Sequence, residues 1–192
     1  MERAGTAPKR LQMLDYAYRK VVQDALCTWP HEACGALLGP EEGLKCSQRG
    51  SSSGSQVPSI VLDAQPAAGV DTERSLDSFR IGAQDMVALQ ARAQEMGMVI
   101  VGFYHSHPNA GAIPSRTDLP QVTAQTTVRF GATWPGHPLV IVSLSNGDCT
   151  AVEAYWLTEG EHTRYEPLEV VRIPPPIHPC QTQRPERTIK AE

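Results

Sequence analysis

No apolar run in the 192-residue chain approaches the ~20 residues needed to cross a bilayer, and the basic residues among positions 1–10 have no hydrophobic segment after them. The expectation is a soluble, cytoplasmic protein that is not exported and has no membrane partner. An excess of positive charge is also missing. A formal net charge of -4 and a pI near 5.9 leave no general attraction for phosphate backbones, so nucleic acid is not an expected partner. The five cysteines, Cys27, Cys34, Cys46, Cys149 and Cys180, are scattered and odd in number, and no two form a CxxC pair. This excludes a disulfide framework and a structural zinc knuckle, and leaves small thiols in a reducing cytoplasm. The helical zinc motif HExxH is absent too: His31-Glu32 begins it, but Gly35 stands where the second histidine belongs and Pro30 opposes a helix. There is no internal repeat.

The hydrophobic content of 41% is enough for a real core, and the length suits one domain. We expect that domain over residues 11–173, between a flexible N-terminal tail (1–10) and a Pro-rich disordered tail (174–192). Leu14, Ala17, Tyr18, Val21, Val22, Ala25 and Leu26 recur at helical spacing, which predicts a helix over 11–27. Residues 33–38 are small and apolar and read as a buried strand; the Ser/Gly-rich stretch 47–59 reads as a mobile loop. Further strands are expected at 60–62, 78–81, 98–104, 139–144, 151–157 and 170–173, with helices over 84–96 and from about Ser115. The run Val99, Ile100, Val101, Phe103, Tyr104 is the strongest strand signal, as for a central strand, and Asn146-Gly147 marks a hairpin.

His105-Ser106-His107 closes that central strand. Side chains two apart on a strand point to the same side, so both imidazoles can reach one point, and their Cα atoms, ~7 Å apart, suit Zn–N bonds of ~2.1 Å. Asp118 offers an anionic third ligand, and three protein ligands leave a fourth tetrahedral position for water, the mark of a catalytic zinc. Ser115 and Asp118 alone are equally explained as a helix N-terminus, with Ser115 as cap and Asp118 near the positive end of the dipole. Capping does not account for two histidines on one face of an apolar strand, where unpaired imidazoles are costly to bury. Glu32, at the mouth of the strand 33–38, can act as a general base; taken alone it reads first as a solvated surface residue.

Taken together, Glu32 before Cys34-Gly35-Ala36-Leu37-Leu38-Gly39, then Val101-Gly102-Phe103-Tyr104-His105-Ser106-His107-Pro108 and Pro114-Ser115-Arg116-Thr117-Asp118, closely resemble the JAMM (MPN-type) metalloproteases. The combined pattern is far more specific than its parts, and Ser78-Phe79-Arg80-Ile81 is similar to the family's segment before its middle helix. The resemblance implies an α/β (α+β, cytidine-deaminase-like) fold with a mixed central β-sheet flanked by helices. It further implies one Zn²⁺ per chain on His105, His107 and Asp118, Glu32 as the base that activates water, and Ser115 as hydrogen-bond donor to the oxyanion. All five polar positions are present, unlike in the metal-free scaffold members.

The interval 119–138 is short and Cys149 is the only cysteine in the following region, so the long insertions and second zinc of ubiquitin-chain-cleaving relatives are not expected. The compact form resembles stand-alone prokaryotic members, which implies as partner a ubiquitin-like or sulfur-carrier protein with a Gly-Gly C-terminus, bound by strand addition; a homodimer is left open. Two alternatives stand beside this: a RadC-like DNA-repair-associated protein, which the acidic charge disfavours, and a non-catalytic MPN interaction module. Cys34 could be proposed as a nucleophile, but a buried strand thiol beneath the site is the simpler reading. His31 is placed at the pocket rim, and His137, His162 and His178 in loop or tail contexts. Trp29, Trp134 and Trp156 are read as packing residues.

Overall fold

The computed structural model describes residues 8–41, 60–67, 73–74, 76–77, 79–115, 118, 137–158 and 164–174. The expected loop 47–59 and nearly all of both tails lie outside these residues, as do Cys46, Cys180, His162, His178, Trp134 and the helix expected after Ser115.

The first departure from the periodicity comes at once. Arg10–Leu14 is a strand, β1, and the helix α1 begins only at Asp15, running Asp15–Thr28. Leu11 and Met13, two apart, are both fully buried, as one face of a strand requires. The helical pattern is genuine from Ala17 onward, where Ala17, Val21 and Ala25 form the buried stripe. The chain leaves α1 through a cis Trp29–Pro30 bond and enters β2, Cys34–Gly39, all six residues of which are buried. Two short strands follow, β3 (Ile60–Val61) and β4 (Asp63–Pro66), then a small ribbon of β5 (Glu73–Arg74) and β6 (Phe79–Arg80).

Helix α2, Ala83–Glu95, buries Met86, Leu89 and Ala93. It stops at Gly97, whose φ of 66° lets the Met98 N–H reach the Ala93 carbonyl at 2.8 Å and its own N–H reach that of Gln94 at 2.9 Å. This pair of bonds is a Schellman cap, which glycine adopts without steric cost. Strand β7, Val99–Pro108, is longer than its apolar run because His105, Ser106 and His107 remain in the ladder. Strands β8 (Pro138–Ser145) and β9 (Asp148–Thr158) form the expected hairpin, with Asn146 and Gly147 at φ 53° and 84°, the two positive values of a type I′ turn. The last strand among the described residues, β10, spans Arg164–Ile173, well beyond the expected 170–173, because its first half pairs with β9.

Among the described residues the main sheet has the order β3-β1-β10-β9-β8-β7-β2-β4. It is mixed, with β1 parallel to β10 and β3, β7 parallel to β8, and the rest antiparallel. Its two outermost strands are separated in sequence by Leu62 alone, whose N–H donates to the Leu38 carbonyl at 2.8 Å. The sheet therefore curls round and is closed by the single run 60–66. Helix α1 packs on one face with Leu37, Tyr104, Val140 and Val142, and α2 on the other with Ala36, Phe103, Leu139 and Ile141. Neighbouring residues of β7 thus serve opposite cores.

Candidate metal centre

Strand alternation in β7 sends Tyr104 into the α1 core and His105 and His107 to the α2 face, near the strand's C-terminal end. Strand β2 runs antiparallel beside it with Cys34 opposite His105; continued by two residues, this register sets Glu32 opposite His107. Directly opposite residues share a sheet face, so Glu32, Cys34 and both imidazoles lie on one side. The join is fixed by Ser106, whose Oγ accepts the Ala33 N–H at 2.8 Å while its own N–H donates to the Ala33 carbonyl at 2.9 Å.

The Nε2 atoms of His105 and His107 are 2.9 Å apart, and the Asp118 carboxylate completes a triangle, Oδ1 lying 3.3 Å from His105 Nε2 and Oδ2 3.5 Å from His107 Nε2. All three residues are buried, and their donor atoms lie within 4.8 Å of one another. Tetrahedral ligands on Zn–N bonds of ~2.1 Å stand about 3.3–3.4 Å apart, which the two imidazole–carboxylate separations match, while the two imidazole nitrogens stand closer than that. The tautomer fits as well: His107 Nδ1 lies 2.8 Å from the Gly111 carbonyl, which can only accept, so Nδ1 carries the proton and Nε2 presents its lone pair. His105 Nδ1 is buried without a hydrogen-bond partner among the described residues, leaving Nε2 as that ring's working atom.

The electrostatics agree. Burial holds the His105 imidazole below its ordinary pKa, against the Asp118 carboxylate, and so favours the neutral ring a metal needs. Burial alone would also lower His107, but the hydrogen bond to Asp118 and the Gly111 carbonyl outweigh it and raise it. Burial opposes ionisation of Asp118, yet the two histidines and the Ser115 N–H hold its carboxyl well below the usual carboxylate range. Around the Asp118 carboxylate, His107 and Asp118 thus favour their charged forms, while burial keeps His105 neutral. Glu32 differs: burial, reinforced by the nearby charges of Asp118 and Asp77, pushes its carboxyl up to about 7, with His107 acting the other way. A carboxyl poised there can exchange a proton at neutral pH.

Asp118 and Ser115 form a reciprocal turn. The Ser115 N–H donates to Asp118 Oδ2 at 2.6 Å, and the Asp118 N–H to the Ser115 carbonyl at 3.3 Å. An open cleft of about 370 Å³ lies over the centre, lined among others by Glu32, His107, Ser115, Leu76, Asp77 and Ile113. The expected residues Glu32, His105, His107, Ser115 and Asp118 are therefore all brought to one place.

Cys34 is a buried strand residue whose thiol burial pushes up to about 11, which leaves it protonated and a poor nucleophile. His31 is exposed and is not among the residues lining the cleft. Three features escaped the sequence reading. Phe79 of β6 lies 4.9 Å from the His105 ring and roofs it, Leu76 and Asp77 from the turn of the ribbon wall the cleft, and the Gly111 carbonyl orients His107. The first two come from a segment with only a weak strand signal, and a backbone carbonyl leaves no mark in a sequence.

Known proteins extend the picture. The solution structure of a Salinibacter ruber protein, 26% identical, superposes with a TM-score of 0.57 over 85% of this chain and 92% of that one. Among curated relatives, the desampylase of Haloferax volcanii is 29% identical over 124 residues, 65% of this chain and 70% of that protein. The CysO-cysteine peptidase of Mycobacterium tuberculosis is 30% identical over 142 residues, 74% of this chain and 78% of that protein. A family model described as prokaryotic homologs of the JAB domain matches residues 15–158, three quarters of the chain. With His105, His107 and Asp118 gathered at one point and the mixed sheet around them, this match identifies the chain as a member of the prokaryotic JAB (JAMM/MPN-type) family.

Proposed function

We propose that this chain is a zinc metallopeptidase that hydrolyses amide or isopeptide bonds after the Gly-Gly tail of ubiquitin-like or sulfur-carrier proteins or their conjugates. The observation that carries the reading is the convergence of His105, His107 and Asp118 on one point, with Glu32 on the same face and Ser115 in the same cleft. The relatives named desampylase and CysO-cysteine peptidase support it.

In this reading the three converging residues hold one Zn²⁺ per chain. When bound, zinc lowers the pKa of water to about 7 and polarises a carbonyl. Glu32, on the same sheet face as both histidines, accepts the proton of the attacking water and returns it to the leaving amine. The Ser115 hydroxyl donates to the scissile carbonyl oxygen as charge builds there; losing such a donor costs on the order of a hundredfold in rate. Leu76, Ile113 and Pro108 give the cleft apolar walls, and the β5–β6 ribbon beside it offers backbone to an extended tail without side chains.

The test is cleavage of a carrier protein joined through Gly-Gly to a reporter, followed by mass spectrometry. Cleavage after the second glycine that stops with chelator, returns with zinc and is lost in His107→Ala together with about one zinc per chain is the expected result. Cleavage insensitive to chelators but abolished by a thiol-alkylating agent would replace this reading with one based on Cys34.

A further inference from the structure

The segment between β7 and Asp118 carries both the carbonyl that orients His107 and the third member of the triangle. Its backbone is tied down carbonyl by carbonyl from β8, β9 and β10, on the same face of the sheet as the two histidines. Ser143 of β8 donates its hydroxyl to the Ala110 carbonyl at 2.6 Å. Tyr155 of β9 donates its phenol to the Ala112 carbonyl at 2.7 Å, and Tyr165 of β10 donates to the Asp118 carbonyl at 2.7 Å. Between the first two anchors, the Gly111 carbonyl is left facing His107 Nδ1. The two tyrosine rings meet edge to face, with centroids 6.1 Å apart and planes at 74°, so each restricts the other.

We propose that Tyr155 and Tyr165 are positioning residues that set the metal affinity of the centre, Tyr165 through Asp118 and Tyr155 through the loop that presents Gly111 to His107. The inference rests on the metal reading above. A carboxylate ligand is aimed by its own backbone. Asp118 has its N–H on Ser115 and its carbonyl on Tyr165, so the side chain leaves a backbone held at both ends. Tyr165 lies on β10, outside the segment 15–158 that matches the family model. Partners of metal ligands typically change affinity by 10–100-fold when removed.

The experiment uses the full chain as wild type, Tyr165→Phe, Tyr155→Phe and, as a remote control, the exposed Tyr16→Phe. Zinc affinity is measured by competition with a chromophoric chelator, the visible spectrum of the cobalt(II)-loaded protein reports ligand geometry, and thermal unfolding of the metal-free protein reports fold. We expect Tyr165→Phe to bind zinc about 10-fold more weakly and to shift the cobalt spectrum. Tyr155→Phe should act in the same direction and Tyr16→Phe should match wild type, while metal-free unfolding changes little. Unchanged affinity and spectrum in Tyr165→Phe would overturn the proposal, as would weaker binding accompanied by an equivalent loss of metal-free stability. If wild type itself takes up no zinc, the metal reading fails first, and the two failures are thereby told apart.

Discussion

Replacing Gly35 by alanine tests whether the strand pair behind the centre has any slack. A Cβ there would lie 2.6 Å from the Cε1 and Cζ carbons of Tyr104 and closer still to the backbone carbonyl oxygen of Gln65; real Cβ contacts essentially never fall under 3.0 Å. Neither neighbour can give way cheaply. Gln65 is held in β4 by its pairing with Ala36, and the Tyr104 ring is buried with its hydroxyl donating to Asp24 at 2.9 Å. Overpacking of this kind costs about 1–3 kcal/mol, and disturbing a hydrogen bond to a charged group adds about 1–2 kcal/mol. For a chain of this size each kcal/mol is worth about 2–4 °C, so the midpoint of thermal unfolding should fall by roughly 4–20 °C. Gly111→Ala is the control, since nothing lies within 4 Å of its Cβ position, and it should stay within about 2 °C of wild type. Calorimetry of the metal-free proteins decides the matter: a Gly35→Ala midpoint indistinguishable from the control would show that β2 and β4 shift freely and that the steric argument is wrong.

Three further expectations concern the centre. Glu32→Gln should lower kcat by about 10²–10⁴-fold while keeping its zinc, checked by steady-state kinetics beside metal analysis. The same variant should alter the pH dependence of stability in chelator. Because the folded-state pKa of Glu32, about 7, lies above its ordinary 4.5, this carboxyl contributes stability that is complete below about 4.5 and disappears as pH rises through 7. Glu32→Gln should therefore gain on wild type across that window in denaturant titrations, with a constant gap above it; parallel curves would contradict the assignment. Ser106→Ala should leave the Ala33 N–H buried and unpaired, at a cost of about 1–3 kcal/mol, and should impair turnover more than zinc binding because Ala33 carries Glu32; wild-type kinetics in this variant would count against the register argument.

The polar half of the centre was legible because it is compact in sequence. His105 and His107 ride one strand whose apolar run is unmistakable, and Asp118 follows within a loop's length. Glu32 was harder to place, since its position depends on β2 pairing with β7, a contact between segments some 70 residues apart. Strand β1 was misread for a related reason. Leu14 and Ala17 prolong the helical spacing backward, and only the ladders to β10 and β3 make residues 10–14 extended. The same distance dependence hid the first half of β10, where Pro167 interrupts the apolar pattern, and with it Tyr165. The burial expected of Cys34 is found, since Ala33, Gly35 and Ala36 beside it in the sequence are small and apolar.

The curl of the main sheet has a consequence for how the protein behaves in a crowded solution. Open sheets end in backbone groups that invite a second molecule to continue the ladder, which is the usual route to edge-to-edge association. Here the run 60–66 serves both margins at once, leaning on β1 with its first residues and on β2 with its last. Among the described residues, this one run partly covers the edges of β1 and β2, so a second copy extending the large sheet would have to pair with the short strands β3 and β4 themselves.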